Sequence, residues 1–405
     1  MKKILHSTIF WLLIAIVVGI LVGLVIGEGG MKAVLFVKQV SGQIIYFMVP
    51  LIILALISSS IASLKGNAAS ILLFAFLLAY VSTVLASFFA LGVGNAVIPW
   101  LHIDKAASMR ALPPSIYDLQ IPPIMGVMSA LMLSICLGLG TYWIKSQQYA
   151  LMLGQFKDMV MHLVKKILIP VLPFFIASNF CALTYKGMLP AMKIFLVIII
   201  IAIVCHFIWL AILYVAASVY SGKHGWDVVK HYGPAYLTAL GTMSSAASLG
   251  VALDCIRKNK DLDDDIVDFC IPLFNNIHLS GSILTITLFI CTISQVLYGA
   301  IPTFGSMVFF ILMMGIFAIG APGIPSGTVM ASVGLVLAVV MVPDGAGSLM
   351  HFTEEGTSLL ITLFALQDSF GTACNLTGDG ALTMIVDRYA KKKAASTKAG
   401  STVAE

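Results

Sequence analysis

The residues from Phe269 to Pro343 constrain the fold more than any other part of the chain. No Asp, Glu, Lys or Arg occurs over these 75 residues. A membrane-spanning helix needs about 20 apolar residues, so the stretch is too long for two spans. Two groups of polar or turn-forming residues interrupt it, NNIHLSGS at 275–282 and GAPGIPSG at 320–327. Non-helical backbone at membrane depth persists only inside protein or around a cavity, so both interruptions are predicted to lie inside the protein.

The composition indicates a polytopic helical membrane protein. Hydrophobic residues make up 60% of the 405 residues, charged residues make up 10%, and the mean hydropathy is +1.03. These values exclude a soluble globular protein. The formal net charge of +5 does not indicate a nucleic-acid partner, because the basic residues form short clusters beside apolar spans. The seven cysteines show no CxxC spacing, and we interpret them as small core residues.

Six apolar spans precede the uncharged stretch, each long enough to cross a membrane. We interpret the first as a retained helix, because no small-residue cleavage site precedes a polar domain. The predicted spans are about Thr8–Ile26, Gly42–Leu64 with Pro50, Ser70–Ile98, Ile124–Ile144, a fifth from about Gln155 with Pro170 and Pro173, and Pro190–Val219.

The C-terminal half is predicted to contain one unit twice, a hairpin with a Ser/Gly/Pro-rich tip followed by a helix broken by polar residues. The first unit has its tip (TMSSAAS) at 242–248 and its break at 275–282. The second has its tip at 320–327 and its break (NLTGDG) at 375–380. Paired interrupted segments indicate the binding site of a secondary transporter. Kinked packing helices are the alternative, since small residues also allow close helix packing.

Four polar side chains share one face of the last span. Asp368, Thr372, Asn375 and Asp379 are spaced by four, three and four residues, which aligns them on an α-helix. An aspartate at mid-bilayer depth costs about 3 kcal/mol, so its presence indicates a cation, a substrate amine or a partner group nearby. Carboxylate, amide and hydroxyl oxygens are also the ligands that a hard cation such as Na⁺ prefers. Hydrogen bonds to neighbouring helices are the alternative explanation.

The basic residues predict the orientation. With the N-terminus inside and both hairpins re-entrant, all but six of the 23 Lys and Arg residues lie on the cytoplasmic side. The six on the other side are Lys32, Lys38, Lys105, Arg110, Lys186 and Lys193. Both termini are therefore predicted to be cytoplasmic.

NLTGD in the last span, the serine-rich tip SSAAS and the proline-glycine tip GAPGIPSG together resemble the dicarboxylate/amino acid:cation symporter family, the glutamate transporter homologues. The resemblance covers nearly the whole chain. It implies an all-α polytopic fold of eight transmembrane helices plus two re-entrant hairpins, with inverted repeats. It also implies a homotrimer in the lipid bilayer of the cell inner (cytoplasmic) membrane, in which a transport domain slides against a trimerisation scaffold.

The resemblance also implies a division of the chain. Residues 1–120 would form helices 1–3, which belong to the scaffold and partly to the transport domain. Residues 121–222 would form helices 4–6, mainly the trimerisation scaffold. Residues 223–389 would form the transport core, and residues 390–405 a basic cytoplasmic tail.

The site residues of the family fall on matching positions of this chain. Asp368 matches the aspartate that binds the substrate amine, and Asn375 matches the asparagine at the substrate carboxylate and a sodium ion. Asp379 matches a sodium-ligating aspartate. The other matching positions contact substrate or form the tips, and they are Thr372, Ser244, Ser245 and Gly323.

Two departures concern the substrate. Family members for acidic substrates carry an arginine three residues after the amine-binding aspartate, and here that position is Gly371. Others supply the arginine from the first tip, where this chain has Met243. A second substrate carboxylate would lack a guanidinium partner in a buried site, so acidic substrates are disfavoured.

Two further departures concern the coupling ion. The family motif NMDGT corresponds to His278–Ser282 here, and Ser280 replaces a sodium-ligating aspartate. His278 is a candidate proton-linked group, or alternatively a neutral, hydrogen-bonded core histidine. Phe364 replaces a carboxylate found in some members. Fewer cation ligands are therefore predicted than in relatives for acidic substrates.

These features predict a cation-coupled symporter for a small, neutral amino acid, driven by Na⁺ or H⁺ and without another cofactor. An acidic amino acid or dicarboxylate symporter, and a proton-coupled or exchange transporter of the same fold, are alternatives. A channel would need a continuous polar stripe, whereas the polar groups here are concentrated at the breaks. An enzyme is disfavoured, because HExxH and GxSxG motifs are absent from the sequence.

Overall fold

The computed structural model describes residues 8–62, 69–101, 110–117, 120–187, 189–319, 321, 326–343 and 348–402. The first seven helices are α1 (Thr8–Val25), α2 (Glu28–Ala62), α3 (Ala69–Val97), α4 (Val127–Trp143), α5 (Gln147–Leu163), α6 (Ile169–Tyr185) and α7 (Leu189–Ser221). A 3₁₀ turn (Ile98–Leu101) extends α3, and a π-helical turn (Val164–Leu168) joins α5 to α6.

The second half of the chain has shorter helices and one long one. They are α8 (Gly225–Val229), α9 (Gly233–Thr242), α10 (Ser245–Ile256), α11 (Asp264–Ile277), α12 (Ser280–Tyr298), α13 (Phe304–Ala318), α14 (Gly327–Val339) and α15 (Glu354–Thr402). Two short antiparallel strands, β1 (Met341–Pro343) and β2 (Leu349–His351), lie between α14 and α15. Within the described parts, six helical segments are long and apolar enough to cross a membrane, which makes this a multi-pass membrane protein.

The predicted spans agree with the helices except at the second and fifth. Helix α2 begins at Glu28 rather than at Gly42, because a polar helical stretch precedes its apolar part. The fifth span begins earlier than predicted, at Gln147, where the Ser146 hydroxyl accepts from the Tyr149 N–H as an N-cap. Pro170 cannot donate to the carbonyl four residues earlier, and the π-helical turn lies directly before it.

Both predicted hairpins are present in the structure. Hairpin 1 is formed by α9 and α10, and hairpin 2 by α13 and α14. Each tip contains a non-glycine residue in the left-handed conformation, Met243 with φ 52° and Ser326 with φ 59°. Such a residue costs about 1 kcal/mol or more, so both tips are held by their surroundings.

Of the two predicted helix breaks, one is observed in the structure and the other is not. The first is observed, because α11 ends at Ile277 and α12 begins at Ser280. The predicted break at 375–380 is wrong, because α15 runs through it without interruption. A glycine costs about 1 kcal/mol in a helix, but at Gly378 it permits close packing, since a Cβ there would lie 2.9 Å from the His278 ring.

The helices pack into two groups. Helices α1, α2, α4, α5 and α6 pack mainly on one another. Helices α3 and α7, hairpin 1, α11 and α12 pack around α15, and α13 packs on α3. Helix α7 is thus part of the group around α15, although the resemblance assigned residues 121–222 mainly to the scaffold.

Charged groups collect at opposite ends of the bundle. At one end Lys186 Nζ lies 2.6 Å from Glu355 Oε1, and the Arg110 guanidinium lies over the Tyr185 ring. At the other end the buried Asp387 carboxylate accepts from Lys223 Nζ at 2.7 Å and from Lys391 Nζ. Lys186 and Arg110 thus lie at one end of the bundle, and Lys223 and Lys391 lie at the other, while which end is cytoplasmic stays a prediction.

Candidate functional site

The four polar residues of the last span lie on α15 and are buried. Asp368 is 2% exposed and Asp379 is fully buried, in a helix that is uncharged from Thr357 to Gln367. Three different elements face them: the tip of hairpin 2, the first turn of α12 and the α11–α12 break. The site is therefore assembled from segments far apart in sequence, around one straight helix.

Asp368 is held by the tip of hairpin 2. Its Oδ2 accepts a hydrogen bond from the Ser326 backbone N–H at 2.5 Å, and the Thr372 side chain hydrogen-bonds to the same carboxyl group. Ser326 caps the N-terminus of α14, where the helix dipole favours a negative charge. Gly323, the other predicted tip residue, lies outside the described residues. Hairpin 2 is thus closed onto the predicted amine-binding carboxylate.

Asn375 is fixed by the first turn of α12. Its Oδ1 accepts from the Gly281 N–H at 2.8 Å and the Ser282 N–H at 3.3 Å, and its Nδ2 donates to Ser282 Oγ at 2.9 Å. Asn375 therefore caps α12 from another helix. Because Oδ1 is committed to backbone donors, the remaining hydrogen of Nδ2 is the polar group that Asn375 can offer a ligand.

Asp379 contacts a histidine side chain, whereas Asp368 contacts a backbone N–H. Its Oδ1 lies 2.9 Å from His278 Nδ1, and His278 Nε2 lies 3.0 Å from Ser82 Oγ on α3. With the carboxylate ionised, Nδ1 donates to it and Nε2 accepts from the Ser82 hydroxyl. The imidazole therefore bridges α15 to α3 through the helix break.

Three buried oxygens, on Asp379 and on the two helices that flank the break, make no hydrogen bond within the part of the chain that the structure describes. They are Asp379 Oδ2, Ser280 Oγ and Asn275 Oδ1. Buried polar atoms are normally paired with protein, water or an ion. Their chemistry, one carboxylate with neutral oxygens, suits a hard cation.

The tip of hairpin 1 makes different contacts from the tip of hairpin 2. The Ser244 hydroxyl accepts from the Ala247 N–H and caps α10, and the Ser244 carbonyl accepts from Ser248. Ser245 is buried. These two hydrogen bonds of Ser244 lie within its own tip, whereas the Ser326 N–H donates to Asp368.

The sequence analysis missed Ser82, described above, and two further residues at this site. His206 on α7 lies 3.0 Å, through Nε2, from the Gly281 carbonyl and from Thr285 Oγ1. Gln367, next to Asp368, has its Nε2 3.4 Å from His206 Nδ1. A histidine in the middle of an otherwise uncharged apolar span was the available signal, because ionisable residues at that depth are functional candidates.

No lysine or arginine of the described residues forms an ion pair with Asp368 or Asp379. Arg110 lies over Tyr185 at one end of the bundle, Arg257 pairs with Asp268, and Arg388 is exposed near the other end. At Gly371 a Cβ would lie 3.2 Å from Ser282 Cα, so a side chain there must displace the first turn of α12. Phe364 is buried in the apolar core. The site therefore carries acidic groups without a fixed cation.

The comparisons with known proteins agree on one family. The sequence profile of the Sodium:dicarboxylate symporter family matches residues 8–389. The chain is 27% identical over 281 residues to excitatory amino acid transporter 1 of Ambystoma tigrinum, covering 67% of this chain and 49% of the relative. It is 30% identical over 157 residues to an excitatory amino acid transporter of Caenorhabditis elegans, covering 39% and 29%. The chain thus spans half or less of the length of these curated relatives.

Proposed function

Because the chain belongs to the sodium:dicarboxylate symporter family, whose members are transporters and not enzymes, we propose that it is a cation-coupled symporter for a small, neutral amino acid. One observation carries the choice of substrate. The site contains the buried carboxylate of Asp368, and no basic side chain of the described residues accompanies it. A buried carboxylate that stays ionised requires a cationic partner, which the ammonium group of an amino acid would supply.

Asp368 would bind the substrate ammonium in competition with hairpin 2. In the closed structure the Ser326 N–H occupies Oδ2. Substrate entry would require the tip to move away, and reclosure would place backbone donors of α14 around the bound solute. Thr372, one turn further along α15, would hold the carboxylate in position and contact the substrate.

The substrate carboxylate would lie against Asn375 and the helix N-termini of the tips. Asn375 can donate through Nδ2, and the N-termini of α10, α12 and α14 present backbone N–H groups and the positive ends of helix dipoles. This environment neutralises one carboxylate without a guanidinium. Ser244 and Ser245 would contribute from hairpin 1.

The coupling cation would bind at Asp379. Its Oδ2 and the unpaired oxygens of Ser280 and Asn275 form the available ligand set. His278 already occupies Oδ1, and Ser280 brings no charge. The site therefore supports fewer sodium ions than a site with a second carboxylate. Coupling to a proton, with His278 as the linked group, is the alternative to sodium.

An acidic amino acid is the second candidate substrate, because the named relatives are excitatory amino acid transporters. A second substrate carboxylate would have to be desolvated in this site without a charged partner. The penalty for such an unpaired buried charge is several kcal/mol, which argues against it.

The packing also supports a proposal for the moving parts. Helices α1, α2, α4, α5 and α6 would form the trimerisation scaffold, and the helices around α15, including α7, would form the transport domain. We also propose that the protein forms a homotrimer in the inner membrane, with both termini cytoplasmic.

Transport in proteoliposomes tests this function. The solutes are L-alanine, L-serine, L-aspartate, L-glutamate and succinate, each with a sodium gradient, a proton gradient or neither. We expect saturable, gradient-driven uptake of a neutral amino acid. Uptake of L-aspartate in preference to L-alanine would overturn the proposed substrate, and flux that never saturates would indicate a channel instead.

A further inference from the structure

His206 is buried in the middle of α7, and both of its ring nitrogens are engaged. Nε2 lies 3.0 Å from the Gly281 carbonyl, and Nδ1 lies 3.4 Å from Gln367 Nε2. A carbonyl oxygen only accepts hydrogen bonds, so Nε2 carries the hydrogen. Nδ1 is then the acceptor for the Gln367 amide. The contacts therefore specify one neutral tautomer and one ring orientation.

Two of the three partners of the His206 ring are adjacent to the proposed substrate-binding groups, and the third is Thr285 Oγ1. Gln367 directly precedes Asp368 in α15. Gly281 donates its N–H to Asn375 Oδ1, at the same turn whose carbonyl binds His206. The first turn of α12 is thus held between Asn375 on α15 and His206 on α7. The Cys374 thiol adds a weak contact to the His206 carbonyl at 3.8 Å.

We propose that His206 is a positioning residue for substrate carboxylate recognition, which acts by fixing the Gly281 turn and so the amide orientation of Asn375. The inference rests on the function proposed above. Loss of the imidazole leaves the first turn of α12 attached to α15 only through Asn375 and local packing. The Asn375 amide can then rotate with that turn, and its Nδ2 donor is no longer presented to the substrate.

The test uses three variants of the full chain in proteoliposomes with radiolabelled L-alanine. His206→Leu removes both contacts, and His206→Gln keeps an N–H donor at similar reach. Asn179→Leu is the matched control, because Asn179 is also buried in a span and its side chain donates to the Phe175 carbonyl of its own helix, away from the site. We expect His206→Leu to raise KM by about tenfold with Vmax nearly unchanged, His206→Gln to restore most of the affinity, and Asn179→Leu to lower only the unfolding temperature.

A double-mutant cycle with Asn375→Ser separates positioning from general damage. If His206 acts through Asn375, His206→Leu adds little to the KM increase that Asn375→Ser already causes. Additive effects, or an unchanged KM in His206→Leu, overturn the inference. An unchanged KM in Asn375→Ser overturns the proposed site instead. If the wild type does not transport L-alanine, the same cycle is measured on unfolding temperatures in detergent, where additivity again overturns the coupling.

Discussion

Asp368 and Asp379 are the same residue type on the same face of the same helix, yet their surroundings differ in kind. Asp368 faces a backbone N–H at the tip of a hairpin, next to residues 322–325 that lie outside the described part of the chain. Asp379 faces an imidazole that is itself anchored to α3. The first carboxylate is bound by a backbone N–H at a hairpin tip, and the second by an imidazole fixed between two helices. This difference is consistent with the proposed substrate role of Asp368 and the proposed ion-linked role of Asp379.

Asp368→Asn should have the largest effect on transport. The amide keeps the shape and can still accept from Ser326, but it cannot neutralise a substrate ammonium. We expect a loss of about 100-fold in uptake efficiency for L-alanine. The matched control is Thr362→Val, which removes a buried hydroxyl of α15 that donates to the Ser358 carbonyl of the same helix. Near-normal uptake by Asp368→Asn would remove the residue from the substrate site.

Asp379→Asn should weaken coupling more than substrate binding. Without the charge, a coupling cation loses its one carboxylate ligand, while Asp368 and Asn375 remain intact. We expect uptake to fall by about tenfold and to become independent of the driving cation. Titrations of L-alanine binding against sodium concentration measure this. A variant that keeps the full sodium dependence would contradict the assigned roles.

The double variant His278→Asn with Ser280→Asp should increase sodium dependence. His278 occupies Asp379 Oδ1, and Ser280 has an unpaired oxygen but no charge. Replacing them frees one carboxylate oxygen and adds a second countercharge, so a further cation can be held. We expect sodium affinity to improve by about tenfold or the sodium dependence to steepen. Ser280→Asn, equal in shape but uncharged, is the control and should leave the dependence unchanged.

An arginine introduced at Met243 should shift preference toward an acidic substrate. Met243 lies at the tip of hairpin 1 and packs in the same apolar cluster as Leu279, beside the helix break. A guanidinium there could pair with a second substrate carboxylate, and we expect the L-aspartate to L-alanine preference to rise by about tenfold. Gly371→Arg is the less suitable variant, because its Cβ would press on Ser282. No change in preference with Met243→Arg would place the substrate away from hairpin 1.

Glu355→Gln should have the smallest effect. Its carboxylate pairs with Lys186 at 2.6 Å, but 42% of its side chain is exposed, so solvent screens the pair. We expect a loss of less than about 1 kcal/mol in the free energy of unfolding and unchanged uptake by this variant. Thermal unfolding in detergent and uptake assays check both. A large loss of uptake would show that the half-exposed carboxylate matters as much as the buried ones.

The sequence predicted the helices that have a strong hydropathy signal. It missed the features that depend on tertiary contacts. Hydropathy predicted α1, α3 and α7 closely, because lipid and core both require apolar spans. The spacing of Asp368 and Asp379 predicted their common face. The polar start of α2 was missed, since it lies before the apolar run. Asn375 and Gly378 were interpreted as helix breakers, although in the structure they cap α12 and admit His278 without interrupting α15.

The residues around the site were harder to predict than the site itself. His206 and Ser82 reach it from helices distant in sequence, and Gln367 joins it through His206, so only the folded structure shows which buried polar groups meet. The sequence alone shows that Met243 and Gly371 stand where an arginine would be needed, because residue type can be read without knowing the fold. The tautomer of His206 and the contact between the hairpin 2 tip and Asp368 could not be predicted from the sequence.

If Asp368 binds the substrate ammonium as proposed, its hydrogen bond from the Ser326 N–H would make the apparent affinity depend on the position of the hairpin 2 tip. A solute would then bind only the fraction of molecules in which the tip has moved away from Asp368. The apparent dissociation constant would equal the intrinsic one divided by that fraction, so each tenfold preference for the closed tip would weaken apparent binding about tenfold. Substitutions in the tip of hairpin 2 would therefore change how tightly the protein holds its solute through this equilibrium, in addition to any contact with the solute that they alter.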